Sequence, residues 1–185
     1  MKPINIPPFF HEVLGKRSTV IEILLTLSFS LVMSGVLLAF TYSEWKGLAW
    51  WKVVLLLLLA LDILGGVIAN FTHSTNQFYR TRPRARIVFI LLHVQPLLLA
   101  LLLWNHFALC FLIWGYTILS TSIVNALLDH PAQRTIAAVF VSTGFASLLL
   151  FYSDLPLLLL FLLFFYLFKV IFSFGVDHYA SRKVY

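Results

Sequence analysis

Six times between residues 19 and 176 the sequence returns to a long apolar run, at 19–40, 50–71, 87–104, 107–127, 135–152 and 155–176, with only short segments between. Crossing the ~30 Å hydrocarbon core takes roughly 17–25 such residues, because an α-helix rises ~1.5 Å per residue. Backbone polar groups in lipid are satisfied only within helices or closed barrels. The expected fold is therefore an all-α integral membrane protein, a bundle of six transmembrane helices. Residues 1–18 form a segment ahead of it and 177–185 a tail behind it. Composition agrees: 61% of the 185 residues are hydrophobic and 11% charged, whereas a soluble domain is about a quarter charged. The run at 19–40 is too long for the core of a removable signal and no cleavage pattern follows it, so it is expected to stay as a span. Cys110, the single cysteine, lies inside an apolar run and reads as a small buried hydrophobe.

Charge orients the spans. Lys2, Lys16 and Arg17 precede the first, Arg80, Arg82, Arg84 and Arg86 separate the second from the third, Arg134 follows the fourth, and Arg182 and Lys183 close the chain. Six crossings put all of these on one side and only Lys46 and Lys52 on the other. By the positive-inside rule both termini are expected in the cytoplasm, with the protein in the cell (inner or plasma) membrane. The net charge of +6 then reports orientation. No nucleic-acid partner is expected; membrane lipids are, and the sequence carries no signal of oligomeric state. Trp45, Trp50, Trp51 and Trp104 fall where an outer aromatic belt forms. The sequon Asn70-Phe71-Thr72 faces the cytoplasm on this topology and is set aside. The two halves show no inverted repeat, since Asp62 has no counterpart in the fifth span.

Polar residues inside the spans carry the functional reading. At 100° per residue, Asp62, Gly66, Ala69, Asn70 and His73 share an arc of the second helix. An intramembrane charge costs at least ~2.5–3.5 kcal/mol, so Asp62 and Lys169 are expected to be paired, protonated or in contact with water; a pair of Asp62 with Lys169 or with His93 would be a structural bridge between helices. In the third span His93 and Gln95 precede Pro96, which is expected to kink the helix. Ser122, Asn125 and Asp129 share a face ahead of His130, and Tyr166, Lys169, Ser173 and Asp177 share another. Ser142, Thr143, Gly144 and Ser147 suit close packing of the fifth helix, and Asp154 with Pro156 fits the start of the sixth. "YRTRPRAR", residues 79–86, reads as a loop. Together these residues predict a sheltered polar cavity, open to the cytoplasm, between spans two, three, four and six.

Three functions are compatible with such a cavity. One is a membrane-embedded enzyme acting on a lipid or other membrane-soluble substrate. Asp62, His73, His93 and His130 are its candidate catalytic groups, and the same four are candidate ligands for a divalent metal such as zinc or iron. Asn70, Asn125, Lys169, Arg80, Arg82 and Arg86 would bind substrate, the cations holding an anionic group. No HExxH, CxxC, GxSxG or phosphate-loop pattern occurs. A second function is a small ion or solute transporter, with Asp62, His93 and Lys169 as a proton relay. The third is a structural or assembly subunit. Haem ligation by His93 and a second histidine is a weaker variant of the first.

Overall fold

Thr19 opens the first crossing with a capping box: its hydroxyl accepts from Glu22 N at 3.3 Å, while Glu22 Oε2 accepts from Thr19 N at 2.8 Å. Two orphan helix donors are thereby satisfied. The computed structural model describes residues 3–152 and 154–180, so Lys2, Arg182 and Lys183 of the orientation argument lie outside the described residues. Among the described residues six helices are long and apolar enough to cross a membrane: Val20–Phe40, Trp50–Ala69, Pro83–Leu103, Phe107–Ala126, Gln133–Phe151 and Leu157–Phe174. The protein is a multi-pass helical membrane protein.

The sixth span is the hub. Its first two turns are apolar on all sides, as a helix surrounded by others must be, and Leu158, Leu159, Leu162, Leu163 and Leu167 are fully buried. It packs on the second, fourth and fifth spans and on the half of the third that starts at Gln95. The first span is peripheral and packs on the second through a narrow stripe of Thr26, Ser30, Ser34 and Leu37. Ser30 Oγ donates to Leu61 O at 2.8 Å, the close approach that small polar residues permit in membranes. In the fifth span Gly144 faces inward against Leu167 and Tyr116, but Ser142 and Thr143 face outward, contrary to the packing role expected of them.

At the Trp-rich end, Glu44 reaches from the first connection to the start of the sixth span. Its carboxylate accepts from Leu157 N at 3.0 Å and Leu158 N at 2.9 Å. Asp154, read from sequence as the helix start, makes no such cap. Lys52 Nζ donates to Leu102 O at 3.1 Å and satisfies a carbonyl at the end of the third span. The turn into the fourth span is tight enough to hold Trp104 and His106 at φ 51° and 56°.

At the basic end the chain departs from the helical plan. Ile4–Asn5 pairs antiparallel with Arg17–Ser18. The segment between docks on a separate helix, His73–Arg80, through Thr75 Oγ1 to Val13 O at 2.9 Å and Tyr79 OH to Glu12 O at 3.1 Å. Gly15, at φ +69°, is required there, because a Cβ would lie 2.1 Å from Ser74 Oγ. The run 79–86 is a loop only at Thr81 and Arg82. Arg80 ends one helix, and Pro83 starts the next in the first-turn position where its missing N–H costs nothing.

Candidate functional site

Asp62 lies midway along the second span, but it does not face a sheltered polar cavity. Its side chain is 53% exposed on the flank of the bundle, beside Leu58 and Leu61. The partner comes from inside. Lys169, 2% exposed, extends from the sixth span to place Nζ 2.8 Å from Asp62 Oδ2. Gln95 Nε2 donates to the same oxygen at 2.9 Å. Gly66 makes the approach possible, since a Cβ there would sit 2.2 Å from Lys169 Cε. Lys169 stands in a π-helical stretch, Phe168–Phe174. Such wide turns shift the side-chain register and recur at functional sites.

The third span is broken beside this pair. Its helix stops at Leu92 and restarts at Gln95, with Pro96 in the new first turn. The carbonyl freed at His93 accepts from the buried Tyr166 hydroxyl at 2.7 Å. His93 itself is buried; its Nδ1 lies 2.5 Å from Phe89 O and its ring stacks on Phe89 at 3.8 Å. A carbonyl partner requires the proton on Nδ1. The break is what carries Gln95 round to Asp62, a contact that helical periodicity through residue 93 does not predict.

Two lateral grooves meet at the carboxylate. One, of about 570 Å³, runs toward the basic end past Gly66 and Asn70 to Phe10 and Val13. The other, of about 440 Å³, runs toward the Trp-rich end past Leu55 and Leu98 to Trp51. Leu58 and Asp62 border both. The walls are mostly apolar; Glu12, Thr26, Ser30 and Asn70 on the first groove and Gln95 on the second join the central Asp62 and Lys169. Asn70 Nδ2 and Gln95 Oε1 are buried, one on each groove, and find no hydrogen-bond partner among the described residues. Buried polar atoms are nearly always paired, so these two call for a ligand or water.

The remaining predicted residues divide among other places. Arg86 and Asn125 do come together, but on each other: Arg86 Nε donates to Asn125 Oδ1 at 2.5 Å. The buried guanidinium also donates to Phe174 O at 3.0 Å and Gly175 O at 2.7 Å, so Arg86 closes the end of the sixth span instead of facing an anion. Beside it Gln133 Nε2 donates to Val124 O at 3.0 Å and Gly175 O at 3.2 Å. Arg80 pairs with Asp129 at 2.5 Å and Asp177 at 3.4 Å. This polar knot joins the third to sixth spans at the basic end. Sequence reasoning passed over Gln133; its signal was a lone amide just after Pro131, where a helix must begin.

His73 is not on the second helix, which ends at Ala69. Thr72 caps a new helix there, and His73 meets Tyr179 edge-on at 4.9 Å. His130 Nδ1 accepts from Ala132 N at 3.1 Å in the turn before the fifth span. Among the described residues no three His, Cys, Asp or Glu side chains gather into a metal-holding group, so the zinc or iron expectation gains no ligand set from the geometry. Arg82 stacks on Phe78 at 4.1 Å. Cys110 is buried, as its apolar setting implies. No family model, no curated protein and no solved structure matches the chain.

Proposed function

We propose that this protein binds an apolar, membrane-dissolved molecule bearing a polar head and passes it between the two leaflets along the groove centred on Asp62. One observation carries the reading: the two grooves meet at Asp62 and together follow the second span from Trp51 to Asn70. That length of helix is ~28 Å at ~1.5 Å per residue, the thickness of a hydrocarbon core. A tail lies against Leu55, Leu58 and Leu61 as it would against lipid. The head, which pays a desolvation penalty in hydrocarbon, meets Asp62 and Lys169 at the deepest point. Gln95 Oε1 and Asn70 Nδ2 offer an acceptor and a donor on either side. On the charge-based topology, the basic end is the cytoplasmic one. Catalysis on the same molecule is a second reading, favoured by His93, which is buried in the helix break that brings Gln95 to Asp62.

The test is a vesicle assay. Phosphatidylcholine vesicles carrying a trace of head-labelled fluorescent phosphatidylcholine are treated with dithionite, which bleaches only the outer leaflet. Protein-containing vesicles are expected to bleach further. Leu58→Trp, which fills the shared wall at an exposed position, is expected to slow that phase about tenfold, the effect of ~1.4 kcal/mol on a barrier. Bleaching no deeper than in protein-free vesicles, or an unchanged rate in Leu58→Trp, contradicts passage.

A further inference from the structure

A second cavity, of about 750 Å³, shares no lining residue with the groove and lies at the basic end. Three separate pieces of chain build it. The amino-terminal segment contributes Lys16 and Arg17, the helix after the second span contributes His73 and Gln77, and the turn before the third contributes Arg82. Glu22 is the acidic residue on its wall, and Glu22 Oε2 already accepts from Thr19 N and Thr19 Oγ1 at 2.8 and 2.9 Å. Lys16, Arg17 and Arg82 therefore face one engaged carboxylate, and the field inside is positive.

The backbone that carries Arg17 and the guanidinium of Arg82 are held in place. Arg17 N donates to Ser74 Oγ at 3.0 Å, which fixes the hairpin on the helix. Arg82 lies over the Phe78 ring with Nη1 3.3 Å from Phe78 O, so stacking positions the guanidinium and its other N–H groups still face outward from that carbonyl. Arg80, by contrast, is engaged by Asp129 and Asp177 and does not line the cavity. Thr19 opens the first span and Arg82 directly precedes the third. The cavity thus lies at the depth of lipid head groups, between the starts of two spans.

We infer that this cavity is a binding site for a phosphate-bearing anion. Guanidinium groups match phosphate oxygens in bidentate geometry, and Lys16 and Gln77 supply further donors around the same space. The inference is independent of the groove and survives its failure.

The test uses the full chain in nanodiscs of zwitterionic phosphatidylcholine, titrated with phosphatidic acid and followed by native mass spectrometry. One saturable phosphatidic acid per chain is expected. The double variant Arg17→Gln, Arg82→Gln is expected to weaken it about tenfold, ~1.4 kcal/mol. Lys16→Gln, at an exposed position, weakens it less and guards against a folding defect in the pair. Arg84→Gln removes one charge outside the cavity, as Lys16→Gln removes one from its wall, and leaves binding unchanged, as does Leu58→Trp in the groove. Competition by inorganic phosphate identifies the phosphate group as the ligand in either setting; failure to compete assigns the site to the intact lipid. Uptake that never saturates, or an Arg84→Gln loss equal to that of the pair, overturns the site and leaves only general attraction to an anionic leaflet.

Discussion

A single glycine leaves the central lysine its room. Gly66→Ala places a methyl 2.2 Å from Lys169 Cε, and overpacking of this kind costs ~1–3 kcal/mol. The variant is expected to unfold earlier in a detergent titration and to release Lys169 from Asp62. Asp62→Asn alone leaves a fully buried ammonium without its carboxylate. Breaking such a pair costs about 3 kcal/mol, the lower end of the usual range because Asp62 is half exposed. Adding Lys169→Met to Asp62→Asn is expected to restore most of that loss, and the same titration reads it. Both charges were legible in the sequence, because a charge at bilayer depth demands a partner. Gln95 as the third member was not, since its direction depends on where the third helix breaks.

Helix ends show where local patterns stop informing. The apolar runs locate all six spans, but the cap of the sixth comes from Glu44, far away in the chain, and no spacing rule links the two. Glu44→Ala is expected to cost ~1 kcal/mol as a lost cap and Glu44→Gln less, both measured by thermal unfolding. Arg86 was legible as a cation near the membrane surface. Its burial was not, because Pro83 starts the third helix earlier than the hydropathy does and carries Arg86 to the end of the sixth. That end is expected to respond to pH. His178 donates from Nε2 to Ser173 O at 3.0 Å and packs on Phe71 at 4.5 Å. Burial first, then the neighbouring Arg134, hold its imidazole below the usual histidine range. A depressed histidine stabilises the fold while neutral, above the ordinary value of ~6.5, and that stability is lost as pH falls through the folded-state value. Backbone hydrogen exchange over 175–180, taken relative to the intrinsic rate at each pH, is expected to rise as pH falls from about 7 to about 5, on either side of that ordinary value. The rise is absent in His178→Phe.

The molecule as a whole follows from one excess of apolar surface. Helices bury what they can on the sixth span and give the rest to lipid, which is why the site opens sideways. The sequence suggested an inward polar cavity because Asp62 shares an arc with Asn70 and His73. The helix ends before His73, and the arc points to the flank. The charge-based topology has its own check. In a Cys110→Ala background, Gly47→Cys, at a position open to an added side chain, is expected to react with an impermeant maleimide from outside intact cells. Reaction only after lysis reverses the topology.

The groove itself is tested most directly by what occupies it. A phosphatidylcholine with a photoactivatable tail, irradiated in vesicles with the protein, is expected to leave adducts on Leu55, Leu58 and Leu61, which border the groove. Leu149 and Leu150, more exposed on the fifth span, should nonetheless carry fewer, and Leu58→Trp should deplete the groove adducts. Adducts spread evenly over both faces and unchanged by Leu58→Trp would mean that lipid merely surrounds the bundle and that the groove holds no molecule.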